Sequence, residues 1–173
     1  MNLLRGLPGH PLHPPLTGAT IGAYTAATVF AVLSVLGVSE ENMATAWWLA
    51  LVVGLVVTVP TALTGLADWL SIPRASERWK TATAHLAAMV SATVVFLLAA
   101  IVGHGGYVDR EVGGGGLVLT IAGFALLSLG GWLGGSIVYV HGMRVLKLVD
   151  EPAERAVAPV SYPERETGAG EAS

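Results

Sequence analysis

Four long stretches without any Lys, Arg, Asp or Glu constrain this chain more than any other feature. They cover about residues 16–38, 43–67, 82–103 and 115–140. A helix that crosses a bilayer needs about 20 mostly apolar residues, so each stretch is long enough to span one. Only 12% of the 173 residues are charged, about half the share usual in soluble domains. We therefore predict an all-α integral membrane protein with four transmembrane helices.

Short polar stretches separate the four predicted spans. Residues 39–42, 68–81 and 104–114 connect them. Connections of this length join helices that lie side by side and run antiparallel. The first apolar stretch is too long for the core of a signal peptide, and no convincing cleavage site follows it. The sequence therefore predicts a compact four-helix bundle that retains its first helix.

Positive charges indicate how this bundle lies in the membrane. Eight of the nine Lys and Arg residues fall on the side that holds both termini, and Arg110 alone falls on the other side. Cytoplasmic loops of membrane proteins are enriched in Lys and Arg. We therefore expect both termini in the cytoplasm.

Charge also divides the chain into two parts. Residues 1–149 carry seven Lys or Arg against six Asp or Glu, whereas residues 150–173 carry two against six. The second part is rich in Pro, Glu, Ala and Gly and buries too little apolar surface to fold. We predict a transmembrane domain over 1–149 and a disordered acidic cytoplasmic tail over 150–173. The lack of clustered basic residues argues against a nucleic-acid partner, and the lack of Cys excludes disulfides and thiolate metal centres.

Two spans contain residues that affect packing. Gly130 and Gly134 lie four residues apart in span four, as do Gly131 and Gly135. This spacing lets a neighbouring backbone approach closely, and we expect it to serve packing within the bundle rather than a dimer. Pro60 predicts a kink in span two, which is either a structural feature or a transport-related break. No internal repeat is evident.

Five ionisable residues are predicted to gather at the cytoplasmic face. His10 and His13 precede span one, Asp68 follows span two, His85 lies about one turn into span three, and His141 ends span four. Each helix thus brings at least one potential ligand to the same side, and polar groups within a membrane are functional candidates by default. We predict a metal or cofactor site made by His10, His13, Asp68, His85 and His141.

Three chemistries suit these residues. A divalent metal such as zinc would take neutral imidazoles together with Asp68. A single b-type haem would need two axial ligands, for which His85 and His141 are predicted at similar depth on consecutive antiparallel helices. A proton relay would need ionisable groups across the whole membrane, and spans one, two and four have none near the midplane. No catalytic triad, phosphate-binding loop or paired carboxylate site is recognisable, so we do not expect an enzyme.

Residues 9–16 form the most unusual segment, because prolines flank both of its histidines. The prolines forbid an ordinary helix and favour polyproline II, which rises about 3.1 Å per residue. His10 and His13 would then lie roughly 9 Å apart, too far to share one zinc ion unless the chain turns. In the alternative interpretation, Pro14 or Pro15 opens span one and His13 lies near its cap.

These motifs together resemble a bacterial membrane family, domain of unknown function 2231. They are Gly9-His10-Pro11-Leu12-His13-Pro14, Thr64-Gly65-Leu66-Ala67-Asp68-Trp69, His85 and residues 131–142. The resemblance extends over nearly all of residues 8–148. It implies a four-helix domain of the bacterial cytoplasmic membrane, similar to domains found beside or fused to Rieske-type iron–sulfur modules. More distantly, the chain resembles four-helix b-type cytochromes, but it lacks the second His pair of the two-haem proteins.

Three hypotheses about function follow. The first is an accessory subunit of a membrane redox system, with a metal or one haem at the cytoplasmic face and a larger redox complex or an iron–sulfur protein as its partner. The second is a small transport protein whose path runs along the hydroxyls of Thr58, Thr61 and Thr64 beside the Pro60 kink. The third is a structural bundle without a cofactor, whose glycines dock a larger complex.

Overall fold

The structure, a computed structural model, describes residues 3–146, 148 and 150–160. Most of these residues are helical, and none of them forms a strand. In chain order the helices are α1 (His13–Val35), α2 (Glu40–Trp69), α3 (Glu77–Val102), α4 (His104–Asp109), α5 (Gly114–Gly135) and α6 (Ala153–Ala156), with a 3-10 turn at Leu3–Arg5 and a π-helical turn at Ser136–Val140. Four helices are long and apolar enough to cross a membrane, the fourth being α5 together with the π turn. The predicted fold class is confirmed.

Helix α1 begins at His13, three residues before the predicted span. Two prolines occupy its first turn, where a missing backbone N–H interrupts no helical hydrogen bond. Upstream, Gly9 adopts a φ of 76°, and Leu7 and His10 exchange two backbone hydrogen bonds of 2.9 and 3.1 Å. The predicted polyproline II conformation is therefore wrong, because the chain turns at Gly9 and His13 is already helical.

The four long helices form two hairpins. α1 packs most extensively on α2, and α3 on α5, whereas smaller contacts between α2 and α3 and between α1 and α5 close the bundle. The short connection over residues 36–39 makes α1 and α2 run antiparallel. The connection that contains α4 likewise makes α3 and α5 run antiparallel. We call the end at which α1 and α3 begin the near end, and the opposite end the far end.

At the centre of each hairpin, an aromatic ring of the first helix packs on a glycine of the second helix. The ring of Tyr24 in α1 occupies the space that a Cβ on Gly54 of α2 would need, and Phe96 in α3 lies in the same way against Gly123 of α5. Both rings are fully buried. They stack on each other across the bundle with centroids 3.9 Å apart and planes 3° from parallel. This stack fixes how the two hairpins meet.

The two hairpins repeat one packing pattern. Phe96 follows Tyr24 by 72 residues, and Gly123 follows Gly54 by 69 residues, so α3 corresponds to α1 and α5 to α2. Because corresponding helices run in the same direction, an approximate twofold axis along the bundle relates the hairpins. This correspondence is one of packing positions, and the sequence itself shows no evident repeat. What the two hairpins share is the place at which a ring meets a glycine. Few other residue types match between the hairpins.

The chain reverses direction after α5. In the π turn the N–H of His141 donates to the carbonyl of Ser136 over 3.0 Å. Gly142 follows with a φ of 62° and Arg144 with a φ of 65°, a conformation that favours glycine. This turn lies at the near end and places the guanidinium of Arg144 beside Asp68 of α2.

Part of the predicted disordered tail lies within the described residues. Residues 150–160 include the one-turn helix α6, and the N–H of Val160 donates to the carbonyl of Pro8 over 3.0 Å. This segment therefore contacts the turn that precedes α1. The rest of the predicted tail, 161–173, lies outside the described residues.

Candidate functional site

His13, the first residue of α1, lies against α2 at the near end. Its Nδ1 is 3.0 Å from the carbonyl oxygen of Thr61 and 3.3 Å from the hydroxyl of Thr64. The partly buried ring occupies the space that a side chain at Gly65 would need. The lack of a side chain at this position is what allows the imidazole to enter the interface between α1 and α2.

His85 repeats this arrangement in the second hairpin. It lies about two turns into α3, and its Nδ1 is 2.8 Å from the carbonyl oxygen of Gly130 in α5. Gly134 lies against the ring. Gly130 follows Thr61 by the same 69 residues that relate α5 to α2. The two histidines therefore occupy equivalent positions and bond to equivalent carbonyl groups.

These main-chain bonds determine which nitrogen of each ring carries the hydrogen. A carbonyl oxygen only accepts, so Nδ1 of both His13 and His85 is the donor, and Nε2 of the neutral ring keeps a lone pair. The Nε2 of His13 lies 3.4 Å from the hydroxyl of Thr17, which donates to the carbonyl of His13 over 2.9 Å. Within the described part of the chain, the Nε2 of His85 has no hydrogen bond. Each ring thus retains a nitrogen able to bind a further group.

Asp68 lies in the same region, and two guanidinium groups compensate its charge. The residue is 6% exposed. Its Oδ1 accepts from Nε of Arg5 at 3.2 Å and from Nε and Nη2 of Arg144 at 3.1 and 2.5 Å. A buried carboxylate is stable only when it is paired in this way. His13 begins α1, Asp68 lies in the last turn of α2, and His85 lies in the first turns of α3. The near end therefore combines two imidazoles with one compensated carboxylate.

The other two predicted ligands bond elsewhere. The Nε2 of His141 is 3.0 Å from the hydroxyl of Thr81, which links the end of α5 to the beginning of α3. His10 is exposed, and its Nδ1 is 3.4 Å from the carbonyl of Pro8. Neither residue therefore joins the pair formed by His13 and His85.

The structure does not assemble the predicted five-residue metal site. Across residues 3–146, 148 and 150–160, no group of three or more His, Cys, Asp or Glu side chains is placed to hold a metal ion. In the predicted haem pair, the Nδ1 of His85 is bonded to the carbonyl of Gly130, and the Nε2 of His141 is bonded to the hydroxyl of Thr81. The structure instead matches His85 with His13 as equivalent residues.

The hydroxyls proposed for a transport path are used in packing. Helix α2 continues through Pro60 without interruption. The hydroxyl of Thr61 meets that of Thr20 at 2.9 Å, and the hydroxyl of Thr58 donates to the carbonyl of Gly54 over 2.7 Å. The hydroxyls of these threonines therefore take part in hydrogen bonds within and between α1 and α2.

The sequence marks both histidines of the pair but not the groups around them. No motif pairs Arg5 or Arg144 with Asp68, and the spacing of the glycines in α5 predicts packing but not contact with an imidazole. One signal was present in the sequence. The aromatic residue follows the His by eleven positions in both α1 and α3. The glycine beside the imidazole likewise follows the glycine beside the aromatic ring by eleven positions in both α2 and α5.

Fold and site together define a class of protein, a four-helix membrane bundle made of two similar hairpins. In each hairpin, an imidazole on the first helix is hydrogen-bonded to a main-chain carbonyl of the second helix. A family model described as predicted membrane protein, domain of unknown function 2231 (DUF2231), matches residues 9–147. The chain belongs to this family, which confirms the resemblance drawn from its motifs. No curated protein and no solved structure matches the chain.

Proposed function

We propose that this protein is a non-enzymatic accessory subunit of a membrane redox system that holds a cofactor at the near end of its bundle. The observation that carries the proposal is the pair of equivalent imidazoles, each of which donates from Nδ1 to a main-chain carbonyl. A histidine that binds a metal usually donates its other ring N–H in this way, which fixes the ring for coordination through the free nitrogen. Ionisable groups within spanning helices are rare and usually functional.

The orientation belongs to the same proposal. Basic residues at the near end include Arg5, Arg74 and Lys80, whereas Arg110 lies at the far end in an exposed ion pair with Glu41. This distribution supports a near end that faces the cytoplasm of a bacterium, with both termini on that side. The cofactor would then lie close to the cytoplasmic surface, where an iron–sulfur protein or a larger redox complex could exchange electrons with it.

Cofactor content tests this proposal. The full-length protein would be purified from native membranes in mild detergent, with no cofactor added, and its metal content and absorbance measured before and after reduction with dithionite. We expect one metal-containing group per chain and an absorbance that changes on reduction. A helical, monodisperse preparation that contains neither metal nor chromophore would contradict the proposal.

A further inference from the structure

We infer that the cofactor is one iron porphyrin and that His13 and His85 are its two axial ligands. This inference rests on the proposed function and sharpens it, because it names both the group and the residues that bind it. It differs from the pair predicted from the sequence, in which His141 took the place of His13.

The number of free donors favours a cofactor that brings most of its own ligands. Structural zinc sites take four protein ligands. Here Asp68 is compensated by two guanidinium groups, His141 is bonded to Thr81, and His10 is exposed outside the bundle. The partly buried imidazoles of His13 and His85 are therefore the two within the bundle that offer an Nε2 lone pair. An iron porphyrin supplies four equatorial nitrogens and needs only two axial ligands from the protein. Two imidazoles therefore complete its coordination.

Helix geometry directs the two histidines towards each other. Eleven residues separate His13 from Tyr24 and His85 from Phe96, which corresponds to about three turns and about 16 Å of helix. Each histidine therefore lies on the same face of its helix as the aromatic residue. Because the rings of Tyr24 and Phe96 stack on each other, the faces that carry His13 and His85 also point at one another. Axial ligands must approach a porphyrin from opposite sides, and the approximate twofold axis provides this arrangement.

The contacts between the hairpins show where a flat group could enter. The contacts of α2 with α3 and of α1 with α5 are smaller than those within each hairpin. Small residues surround the imidazoles, with Gly65 beside His13 and Gly134 beside His85. The two described cavities lie elsewhere, one beside Pro8 and one beside Trp48, and the hairpins would move apart at the near end to admit a porphyrin. The stack of Tyr24 on Phe96 would hold them together at the centre.

Coordination would leave the existing hydrogen bonds intact. The lone pair of each Nε2 binds the iron, while the Nδ1 proton stays on the carbonyl of Thr61 or Gly130. These second bonds orient the rings and make the coordinating nitrogen more basic. Neither a proton nor an electron leaves the protein when the group binds.

Single-residue variants of the full-length protein test the ligands. The wild type, His13→Ala, His85→Ala, His10→Ala and His141→Ala would be expressed with 5-aminolevulinate, purified in detergent and compared at equal helical content by circular dichroism. We expect the wild type to show a Soret band and a low-spin ferric signal in electron paramagnetic resonance. The variants at 13 and 85 should each bind at least about tenfold less haem. The variants at 10 and 141 serve as matched controls and should bind as much haem as the wild type.

A second pair of variants keeps the test informative if an alanine variant does not fold. His13→Met and His85→Met retain an axial donor, and each should bind haem with a more positive reduction potential than the wild type. Haem retained by both alanine variants, or lost from His141→Ala alone, would overturn the ligand assignment. A bound metal without a porphyrin would overturn this inference and leave the proposed function standing. A wild type with no cofactor would overturn both.

Discussion

Asp68 joins three separate segments of the chain through one carboxylate oxygen. That oxygen binds Arg5, before α1, and Arg144, after the π turn. Asp68→Asn would leave two guanidinium groups without a countercharge. Because both arginine side chains are about a third exposed or less, water offsets part of this loss, and we expect the free energy of unfolding to fall by about 2 kcal/mol. Equilibrium unfolding in mixed micelles would measure the change.

Glu41→Gln is a matched control for that substitution. It removes the charge from a carboxylate that pairs with Arg110 at 3.1 Å, but both side chains are mostly exposed. Exposed pairs contribute little to stability, so the unfolding transition should not move. Equal destabilisation by the two variants would show that burial of Asp68 is not what matters.

The partners of single residues were the hardest feature to predict. His13 and His85 stand out in the sequence because polar residues are rare in apolar spans. Their acceptors are main-chain carbonyls, which every residue has, so no residue type marks Thr61 or Gly130 in advance. The pairing of Arg5 with Asp68 likewise depends on how the chain turns before α1. The chemical identity of the site residues was therefore predictable, and their bonding was not.

Among the helices, the two ring-on-glycine contacts should control how each hairpin packs. A Cβ added at Gly54 would lie 2.6 Å from a ring carbon of Tyr24, and one added at Gly123 would lie 2.9 Å from Phe96. Both rings are buried and stacked, so neither can move away freely. We expect Gly54→Ala and Gly123→Ala each to destabilise the protein by about 1–3 kcal/mol, measured by the same unfolding experiment.

Gly22→Ala provides the control for these two variants. Gly22 lies in α1, and a Cβ added there would meet no atom within 4 Å. Because Ala is a better helix former than Gly, stability should stay the same or rise. A Gly54→Ala protein as stable as Gly22→Ala would mean that the ring of Tyr24 does not require the glycine.

Helix existence was predictable, whereas helix ends and helix pairing were less so. The four spans follow directly from runs of about 20 apolar residues, since a helix satisfies its backbone hydrogen bonds internally within lipid. The turn at Gly9 was not predicted, because its positive φ places His13 in α1 against the preference of the surrounding prolines. The repeat of the hairpins is not evident from residue types, because it preserves the contact of an aromatic ring with a glycine rather than the sequence around them.

The orientation of the whole molecule can be tested by labelling, because the chain contains no Cys. Val38→Cys would place a thiol at the far end and Ala75→Cys one at the near end, and neither changes the number of Lys or Arg residues. We expect a membrane-impermeant maleimide to label Val38→Cys in spheroplasts, and Ala75→Cys only after the membrane is permeabilised. The opposite pattern would contradict a cytoplasmic near end.

Composition and motifs were sufficient to predict the four-helix membrane architecture and the family. They were not sufficient to predict the site, because a site in this bundle depends on which helices face each other. The stacked rings of Tyr24 and Phe96 show that α1 and α3 do so. This pairing of helices is why His13, rather than His141, is matched with His85.

One spectrum tests most directly whether the paired imidazoles at the near end bind a haem. Electron paramagnetic resonance of the oxidised full-length protein, quantified against protein concentration, reports both the amount of haem and its axial ligands. We predict one low-spin ferric haem per chain, as two imidazole ligands require. A folded protein with no haem signal, or with a high-spin signal from iron that has a single histidine ligand, would contradict the site.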